Sequence, residues 1–487
     1  MTRNLRTVHA PDTPHGADAA AGHHLLVIGG GSAAFAAAIR AAELGARVTM
    51  VERGRMGGTC VNRGCVPSKT LIQAAKVHHL RSAHPFNGIP SSDGAVDMEA
   101  LVRQKRELVE RLGALKYRDV LAAYEGVEYL EGEARFSGRE AIEVTLASGG
   151  RRRFPAERVV IATGARPWIP RVPGLDDTQV WTNEEALEAG ETPGRLVVAG
   201  AGPVGIELAQ LFARLGSRVT LLAPAILPGA DRELASALAG HLRAEGLEVV
   251  MGARLTGVSP GEGERFAVAD VRGEARRVAF DRLLAATGRI ANTDLLDAQA
   301  AGLETAERGF LVVDDRLRTS RPGIYAAGDC TDRPQFVYVA GRAGTLAAEN
   351  ALGGDRRLDL SAMPAVVFTD PQLAWVGLTD ERARARGEAV RARTLSMEDV
   401  PRALANRDVR GRIKIVAREA DGRVLGVHVL SPQAGEVIQT GVLAVKHGLT
   451  VDDLAETLFP YLTEVEGLRL TAQTFRRSVE RLSCCAG

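Results

Sequence analysis

The sequence has few cysteines, no long apolar run and almost no net charge, and each of these absences removes a class of protein. Five cysteines among 487 residues are too few for a secreted disulfide framework, which favours a reducing, cytoplasmic setting. No apolar run reaches the roughly 18 residues that a membrane span needs, and the first 22 residues lack the apolar centre of a secretory signal. We therefore expect no membrane insertion and a disordered leader over residues 1–22.

The charge balance and the length narrow the remaining classes. There are 61 basic and 60 acidic residues, and 45% of the chain is hydrophobic, as in an ordinary globular protein without electrostatic bias. Nucleic acid is therefore not an expected partner. A chain of 487 residues is too long for one compact core, so the length suggests two to four domains.

The segment from His24 to Glu52 has the pattern of a dinucleotide-binding fold. It reads as a strand, a glycine-rich turn, an alanine-rich helix and a second strand, and Gly29, Gly31 and Ala34 supply the G-x-G-x-x-A motif. Glycine is needed because the turn is tight and a pyrophosphate must approach the backbone N–H groups at the helix N-terminus. Glu52 lies 23 residues after Gly29, where a carboxylate can hold ribose hydroxyls.

The same unit returns in RLVVAGAGPVGIELAQLFARLGSRVTLLAP, whose motif residues are Gly200, Gly202 and Gly205. The position 23 residues beyond Gly200 is Ala223, where the first copy has Glu52. A carboxylate there would repel a 2′-phosphate, so its absence favours NADPH over NADH, unless the alanine carries no information. The nearby candidates for binding that phosphate are Arg218 and Arg232.

Two dinucleotide folds imply two bound dinucleotides, and one of these must be able to pass electrons to the cysteines. FAD in the first fold and NADPH in the second meet this requirement. The segments VVIATGARP, around Thr163 and Gly164, and GIYAAGDC, around Asp329, read as further strands ending in glycine turns. Their order suggests that the second domain interrupts the first. The predicted boundaries are 23–165 and 291–360 for the FAD domain, 166–290 for the NADPH domain and 361–487 for a dimerisation domain.

The first cysteine pair lies in GGTCVNRGCVPSKT. Cys60 and Cys65 are five residues apart, and Pro67 is placed where a helix would begin, since proline is tolerated in the first turn. Cys65 is thus predicted at a helix N-terminus, where the partial positive charge and nearby Lys69 favour the reactive thiolate. Two buried, inert cysteines are the alternative. Cys330, which stands alone, is predicted to be a small buried residue.

This segment resembles the redox-active disulfide motif of the pyridine nucleotide-disulfide oxidoreductases, and the likeness extends from about residue 24 over nearly the whole chain. The resemblance implies that Cys65 lies against the flavin, that Cys60 exchanges with substrate, and that Lys69 pairs with Glu207 near the flavin. The residues expected to bind FAD are Gly29, Gly31, Ala34, Glu52, Gly58, Thr59, Lys69, Thr163, Gly164 and Asp329. Those expected to bind NADPH are Gly200, Gly202, Gly205, Gly288 and Arg289.

The segment FPYLTE distinguishes between members of this family. Disulfide-reducing members carry His-Pro-Thr-x-x-Glu, whose histidine moves the proton that a leaving thiolate requires. Phe459 stands in place of that histidine and Tyr461 in place of the threonine, while Glu464 is retained. Because a phenyl ring cannot carry a proton, we expect poor exchange with organic disulfides.

The chain ends in RLSCCAG, which supplies a second thiol pair, Cys484 and Cys485. Hg(II) is soft and favours thiolates, commonly two in a near-linear arrangement, so moving it between sites requires a second pair. The four cysteines are therefore predicted Hg(II) ligands, with Tyr461 beside them, unless the terminal pair is incidental. The tail, FPYLT, AAGDCTDRPQFVYVA and MPAVVFTDPQ are similar to mercury-reducing members of the family, although Val180 stands where those members usually have a tyrosine.

The sequence thus predicts an α/β protein with two Rossmann-like dinucleotide-binding domains and a C-terminal α+β dimerisation domain. The expected activity is NADPH-dependent reduction of Hg(II) to Hg(0) through FAD and paired cysteines, in a homodimer whose site crosses the interface. Hg(II)–thiol complexes are the expected substrates. The alternatives are a disulfide reductase of the dihydrolipoamide dehydrogenase or glutathione reductase type, and a flavin-containing protein that only binds metal.

Overall fold

The computed structural model describes residues 22–92, 94–175, 180–261 and 264–482. The leader and the Cys-Cys tail predicted from the sequence lie outside these ranges, apart from Gly22. The helices are α1 (Ser32–Glu43), α2 (Gly58–Asn62), α3 (Cys65–Ala83), α4 (Met98–Gly113), α5 (Asp119–Ala122), α6 (Asn183–Leu187), α7 (Pro203–Arg214), α8 (Arg232–Ala244), α9 (Val337–Ala351), α10 (Asp380–Ala385), α11 (Pro401–Asn406), α12 (Ala434–His447), α13 (Val451–Glu456) and α14 (Glu466–Gln473). A π-helical turn follows α4 (Ala114–Arg118), and short 3-10 turns span Glu307–Gly309, Met397–Asp399 and Val479–Arg481.

The strands are β1 (His24–Ile28), β2 (Arg47–Glu52), β3 (Val127–Phe136), β4 (Ala141–Leu146), β5 (Arg151–Pro155), β6 (Val159–Ile161), β7 (Ala165–Pro167), β8 (Val180–Trp181), β9 (Arg195–Ala199), β10 (Arg218–Ala223), β11 (Glu248–Met251), β12 (Ala253–Pro260), β13 (Arg265–Val271), β14 (Glu274–Phe280), β15 (Arg282–Ala285), β16 (Arg289–Ala291), β17 (Ile324–Ala326), β18 (Pro364–Val367), β19 (Gln372–Gly377), β20 (Val390–Ser396), β21 (Arg412–Arg418) and β22 (Val424–Ser431).

The chain forms two compact units. The first unit contains the described residues up to Asn62 together with Val109–Arg166 and Arg289–Leu358. Its seven-stranded sheet has the order β17-β6-β1-β2-β3-β4-β5, and β1 pairs in parallel with both β2 and β6. The apolar runs of β1 and β6 are buried, as expected for central parallel strands. Helices α1 and α9 pack closely because Gly344 lets Ala33 approach, and a Cβ there would lie 2.0 Å from the Ala33 carbonyl oxygen.

The second unit contains Arg63–Leu108, Pro167–Gly288 and the described residues from Asp359 onward. A parallel sheet with the order β11-β10-β9-β15-β8 carries α7 and α8, and an antiparallel sheet of β12, β13 and β14 lies between β11 and β15 in the chain. The C-terminal part has an antiparallel sheet of order β18-β19-β22-β21-β20, with α12 and α14 contributing apolar side chains to its core.

These elements confirm the predicted fold class. Two glycine-turn dinucleotide folds are present at β1-α1-β2 and β9-α7-β10, and the C-terminal part contains both strands and helices, among them β21, β22 and α12. The short helix α2, which carries Cys60, was not predicted. Within the described residues, none of the helices combines the length and apolarity required to cross a membrane. The domain boundaries stay a prediction.

Candidate active site

The first glycine turn is built for a close backbone approach. Gly29 has φ +126, and a Cβ at this position would lie 2.2 Å from the Ala162 carbonyl oxygen, so only glycine fits. Gly31 is the N-cap of α1 and, as a glycine, has no side chain with which to cap this helix end. The N–H groups of the first turn therefore stay available to a phosphate, and they fit the pyrophosphate of a dinucleotide.

A cavity at the carboxyl ends of β1, β2 and β6 brings three of the predicted residues together. Its lining includes Gly29, Glu52, Thr163 and Asn292. Glu52 Oε1 accepts a 2.6 Å hydrogen bond from the Gly54 N–H, and Asn292 Nδ2 donates to the Thr163 carbonyl oxygen at 3.0 Å. Asn292 was not among the predicted site residues, although it follows the predicted residues Gly288 and Arg289 closely in the chain.

Helix α2 begins directly beside the glycine turn. Gly58 has φ +61, and a Cβ on it would lie 2.6 Å from Gly31 Cα. This contact places Thr59 and Cys60, the next two residues of α2, near the N-terminus of α1. The Cys60 side chain is half-buried in the first unit. The local geometry suits the predicted roles of Gly58 and Thr59 around a dinucleotide.

Asp329 lies where β17 ends in the Gly328 turn. A Cβ at Gly328 would lie 3.0 Å from Ala33 Cβ, so this turn reaches the first turn of α1. Burial raises the pKa of Asp329, and Arg289, 3.7 Å away, opposes that shift. Arg289 was assigned from sequence to NADPH, but in the structure it belongs to the first unit and also donates to the Ala165 carbonyl oxygen.

Cys330 is a buried structural residue, as predicted. Its side chain is inaccessible to solvent, and Sγ lies 3.4 Å from the Ala327 carbonyl oxygen and 3.5 Å from that of Ile161. Burial raises the pKa of this thiol to about 11. Such a thiol is mostly protonated at neutral pH and is a poor nucleophile.

The second glycine turn repeats the first. Gly200 has φ +110, and a Cβ on Gly205 would lie 2.0 Å from the Gly200 carbonyl oxygen, so helix and strand meet through glycine. Helix α7 begins after Gly202 without a capping side chain, and it therefore offers its N–H groups to an anion. Ala223 is buried at the carboxyl end of β10, whereas Arg218 begins that strand and lies at its opposite end.

Cys65 is the first residue of α3, with Gly64 as the N-cap, which confirms the predicted helix start. One turn later, Lys69 Nζ lies 2.7 Å from Glu207 Oε2 of α7. The other carboxylate oxygen of Glu207 accepts a 2.9 Å hydrogen bond from the Phe368 N–H, and Lys69 Nζ lies 4.7 Å from the centre of the Phe368 ring. The structure thus holds the Cys65 helix against α7 through a charged pair.

A second set of contacts, not predicted from sequence, extends this connection along α3 and α7. Gln210 hydrogen-bonds to the Asp370 N–H and carbonyl oxygen, both at 2.8 Å. The Asp370 carboxylate lies 3.0 Å from Arg214 and 3.3 Å from Lys76 of α3. Burial would raise the pKa of Asp370, but Arg410, Arg214 and Lys76 hold it below its usual value.

The FPYLTE segment combines an apolar, an exposed and a buried residue. Phe459 packs against the C-terminal apolar core, so an aromatic ring occupies the place of a proton carrier. Tyr461 is 58% exposed. Glu464 is only 2% exposed, and its Oε2 accepts hydrogen bonds from Ser431 Oγ at 2.7 Å and from the Gln433 N–H at 2.9 Å. Burial raises the pKa of Glu464.

The predicted mercury ligands are only partly covered by the structure. Cys60 lies in the first unit and Cys65 in the second, both half-buried, while Cys484 and Cys485 lie outside the described residues. Across the part of the chain that the structure describes, no group of three or more His, Cys, Asp or Glu side chains could hold a metal. Val180, in place of a tyrosine, is buried in β8.

Sequence comparison places the chain among proteins with the same two-part organisation. The profile described as pyridine nucleotide-disulphide oxidoreductase matches residues 23–344, and that of the corresponding dimerisation domain matches residues 363–472. A mercuric reductase of Acidithiobacillus ferrooxidans is 50% identical over 93% of this chain and 83% of its own length. The mercuric reductase of Streptomyces lividans is 46% identical over 93% of this chain and 96% of its own length.

Solved structures agree on the fold. The HOCl-induced flavoprotein disulfide reductase RclA of Escherichia coli, in a Cu(II) complex, superposes with a TM-score of 0.82 at 31% identity, covering 93% of this chain and 99% of its own. LpdA of Mycobacterium tuberculosis superposes with a TM-score of 0.82 at 28% identity, covering 93% and 100%.

Proposed function

The chain belongs to the pyridine nucleotide-disulphide oxidoreductase family, and from this premise we propose that it reduces Hg(II) to Hg(0) with electrons from NADPH. The observation that carries the proposal is the combination of about 50% identity to mercuric reductases with a phenyl ring, Phe459, packed in place of a proton-carrying histidine. An apolar group there is compatible with metal reduction and unsuited to protonating a leaving organic thiolate.

Each dinucleotide has a fitting set of residues. We assign the FAD pyrophosphate to the uncapped N-terminus of α1, the ribose to Glu52 and the ribityl chain to Asp329, and the cavity beside Gly29 and Glu52 supports this assignment. NADPH fits the uncapped N-terminus of α7 beside Gly200 and Gly205. When bound, FAD would take a hydride from NADPH and supply the two electrons that reduce the metal. Residues 23–165 and 291–360 form the FAD domain in this assignment, and 166–290 form the NADPH domain.

Cys60 and Cys65 act as the thiol pair that holds Hg(II) during reduction. Two Hg–S bonds to the incoming thiols break, two Hg–S bonds to the cysteines form, and the two cysteine protons go to the leaving thiols. Hg(II) then gains two electrons, both cysteines are released as thiolates, and NADPH becomes NADP⁺ with loss of one proton. Lys69 and Glu207 hold α3, and hence Cys65, in place through their 2.7 Å contact.

Cys484 and Cys485 deliver Hg(II) from solvent thiols to this pair in a homodimer. The dimerisation domain at residues 363–472 supports the assembly. Leu458 and Tyr461, which are 93% and 58% exposed, suit a contact with a second subunit. Tyr461 would stand beside the metal of the partner's site. The low cysteine content favours the cytoplasm as the location.

One assay separates the proposed function from its rivals. Purified protein is mixed with NADPH and, in turn, Hg(II) with excess thiol, oxidised glutathione, and lipoamide, while NADPH oxidation and volatile mercury are measured. Oxidation with Hg(II) that releases Hg(0) supports the proposal. Activity only with an organic disulfide would overturn it in favour of a disulfide reductase, and no activity with any acceptor would indicate a metal-binding flavoprotein.

The delivery role has its own test in the double variant Cys484→Ala with Cys485→Ala. We expect slower turnover of Hg(II) bound to bulky thiols, while flavin reduction by NADPH stays unchanged. Ser483→Ala, in the same tail, is the matched control and should behave as the wild type. If the double variant turns over Hg(II) normally under excess thiol, the tail does not deliver the metal.

A further inference from the structure

A cavity of about 390 Å³ lies near the end of the described chain. It is lined by Arg393 and Thr394 of β20 and by the segment that follows α14, residues 474–479, which includes Phe475, Arg476, Arg477 and Ser478. Its volume falls in the roughly 300–1,000 Å³ range of small-molecule sites. All the lining residues belong to the second unit, and none of them belongs to either glycine turn.

The lining contains three arginines, Arg393, Arg476 and Arg477. Arg476 pairs with Asp452. Arg393 Nε donates to the Thr474 carbonyl oxygen at 3.3 Å, and within the described ranges its guanidinium forms no ion pair. Thr394 Oγ1 lies 3.3 Å from Glu233 Oε2, but Glu233 already pairs with Arg412 at 2.9 Å. The cavity therefore presents arginine side chains, and the Arg393 guanidinium keeps N–H donors that its single bond to Thr474 does not use.

The position of the cavity in the chain limits how far it can be from the terminal thiols. Val479 is its last lining residue, and Cys484 follows five residues later. Five residues span at most about 18 Å when fully extended. Cys484 therefore lies no more than about 18 Å from Val479 along the chain.

We propose that this cavity binds the carboxylate groups of the thiol that carries Hg(II), so that the preferred substrate is an anionic Hg(II)–bis-thiolate complex of a carboxylate-bearing thiol. A guanidinium offers parallel N–H donors that match a carboxylate, and Arg393 has donors to spare for one. The bound complex exchanges its Hg–S bonds for bonds to Cys484 and Cys485, and the two cysteine protons leave with the released thiols. This inference rests on the proposed function.

The net charge of the thiol that carries Hg(II), called the carrier here, provides the kinetic test. Hg(II) is presented with glutathione, which is anionic, with neutral 2-mercaptoethanol and with cationic cysteamine. Arg393→Gln should raise KM about three- to tenfold for the glutathione complex and leave the other two unchanged. Arg386→Gln is the matched control, because Arg386 is exposed in the same domain and its loss changes the net charge equally. An equal rise in KM for all three carriers would overturn the proposal, and so would an equal rise in KM in both variants.

Binding of S-methylglutathione, which cannot exchange with Hg(II), gives a readout independent of turnover. In calorimetry it should bind the wild type and Arg386→Gln alike, and bind Arg393→Gln more weakly. If a chain ending at Leu482 binds the probe more than about tenfold tighter than the wild type, the tail itself fills the cavity and the proposal is wrong. A wild type that reduces Hg(II) without any preference for carrier charge would contradict only this inference, whereas absence of Hg(II) reduction would contradict the proposed function.

Discussion

Lys69 on α3 donates a 2.7 Å hydrogen bond to Glu207 on α7, and the Glu207 side chain is only 5% exposed. The two residues are 138 positions apart in the chain. Because Lys69 lies one helical turn after Cys65, this pair connects the start of the redox helix to the glycine-turn helix of the nucleotide fold. Removal of the ammonium would leave a buried carboxylate with only the Phe368 N–H as a partner among the described residues.

Lys69→Met should therefore destabilise the protein by about 1–3 kcal/mol, the usual cost of leaving a buried polar group without its partner. The double variant Lys69→Met with Glu207→Gln should recover part of that loss, since a neutral amide is less costly to bury than a carboxylate. Urea unfolding of the wild type, the single variant and the double variant measures the difference. Equal stability of the single and double variants would show that the pair does not carry this energy.

In the glycine turn of the second nucleotide fold, we expect substitution of one glycine to affect NADPH binding and substitution of another to affect stability. A Cβ at Gly202 would meet nothing within 4 Å, whereas a Cβ at Gly205 would lie 2.0 Å from the Gly200 carbonyl oxygen. Gly202→Ala should keep the wild-type unfolding temperature but raise KM for NADPH at least about tenfold, because the methyl group occupies the space that the pyrophosphate approaches. Gly205→Ala should lower the unfolding temperature. Steady-state kinetics and thermal unfolding of both variants check this, and unchanged NADPH kinetics in Gly202→Ala would contradict it.

The two nucleotide folds could be predicted because their signals are local. The glycine motif, the following helix and the strand that ends at Glu52 or Ala223 all lie within about 30 residues, and each step has a steric or electrostatic reason. The start of α3 at Cys65 follows from the same kind of signal, a proline in the first helical turn.

Contacts between distant segments could not be predicted in this way. Nothing near Asp370 in the sequence indicates Arg214, Lys76 or Arg410 as partners, because the pairing depends on how the second unit folds. The arginine-lined cavity likewise joins β20 to a segment about 80 residues later. Asn292 was missed for a different reason, since its contact with Thr163 runs through a backbone carbonyl, which any residue could supply.

The 2′-phosphate of NADPH has a candidate partner in Arg272, which sequence reading did not identify. The Gly252 N–H donates to the carbonyl oxygen of Pro224, the residue after β10, and the Arg272 N–H donates to the Gly252 carbonyl oxygen, both at 3.2 Å. The side chain of Arg272 lies beside Gly252, where a Cβ would be 3.0 Å from its Cγ. An exposed guanidinium is thus placed near the carboxyl end of β10.

Arg272→Gln should raise KM for NADPH about tenfold and leave KM for NADH unchanged, because only NADPH carries the phosphate. Arg218→Gln is the matched control, since Arg218 begins β10, about 16 Å from the end of the strand. Kinetics with both nucleotides measure the effect. If KM for NADPH rises in Arg232→Gln instead, the phosphate binds at the start of α8, which would contradict the role of Arg272.

Glu464 should make stability depend on pH in a direction opposite to that of most carboxylates. Burial raises its pKa, so the folded protein holds this proton at pH values where the unfolded chain has lost it. The wild type therefore loses stability as pH rises from the ordinary glutamate range through the raised value. Glu464→Gln lacks this ionisation, so the difference in unfolding temperature, variant minus wild type, should increase with pH across that window.

Asp453 provides the comparison of opposite sign. Hydrogen bonds from the Thr450 N–H and hydroxyl lower the pKa of Asp453, which completes the N-terminal cap of α13. Its contribution is present above the ordinary aspartate pKa and is lost as pH falls through the lowered value. Asp453→Asn should thus be less stable than the wild type at pH 7, and the difference should shrink toward acid. Thermal unfolding of both variants from about pH 2 to pH 8 measures the two slopes, and slopes of the same sign would show that burial does not govern the titration of Glu464.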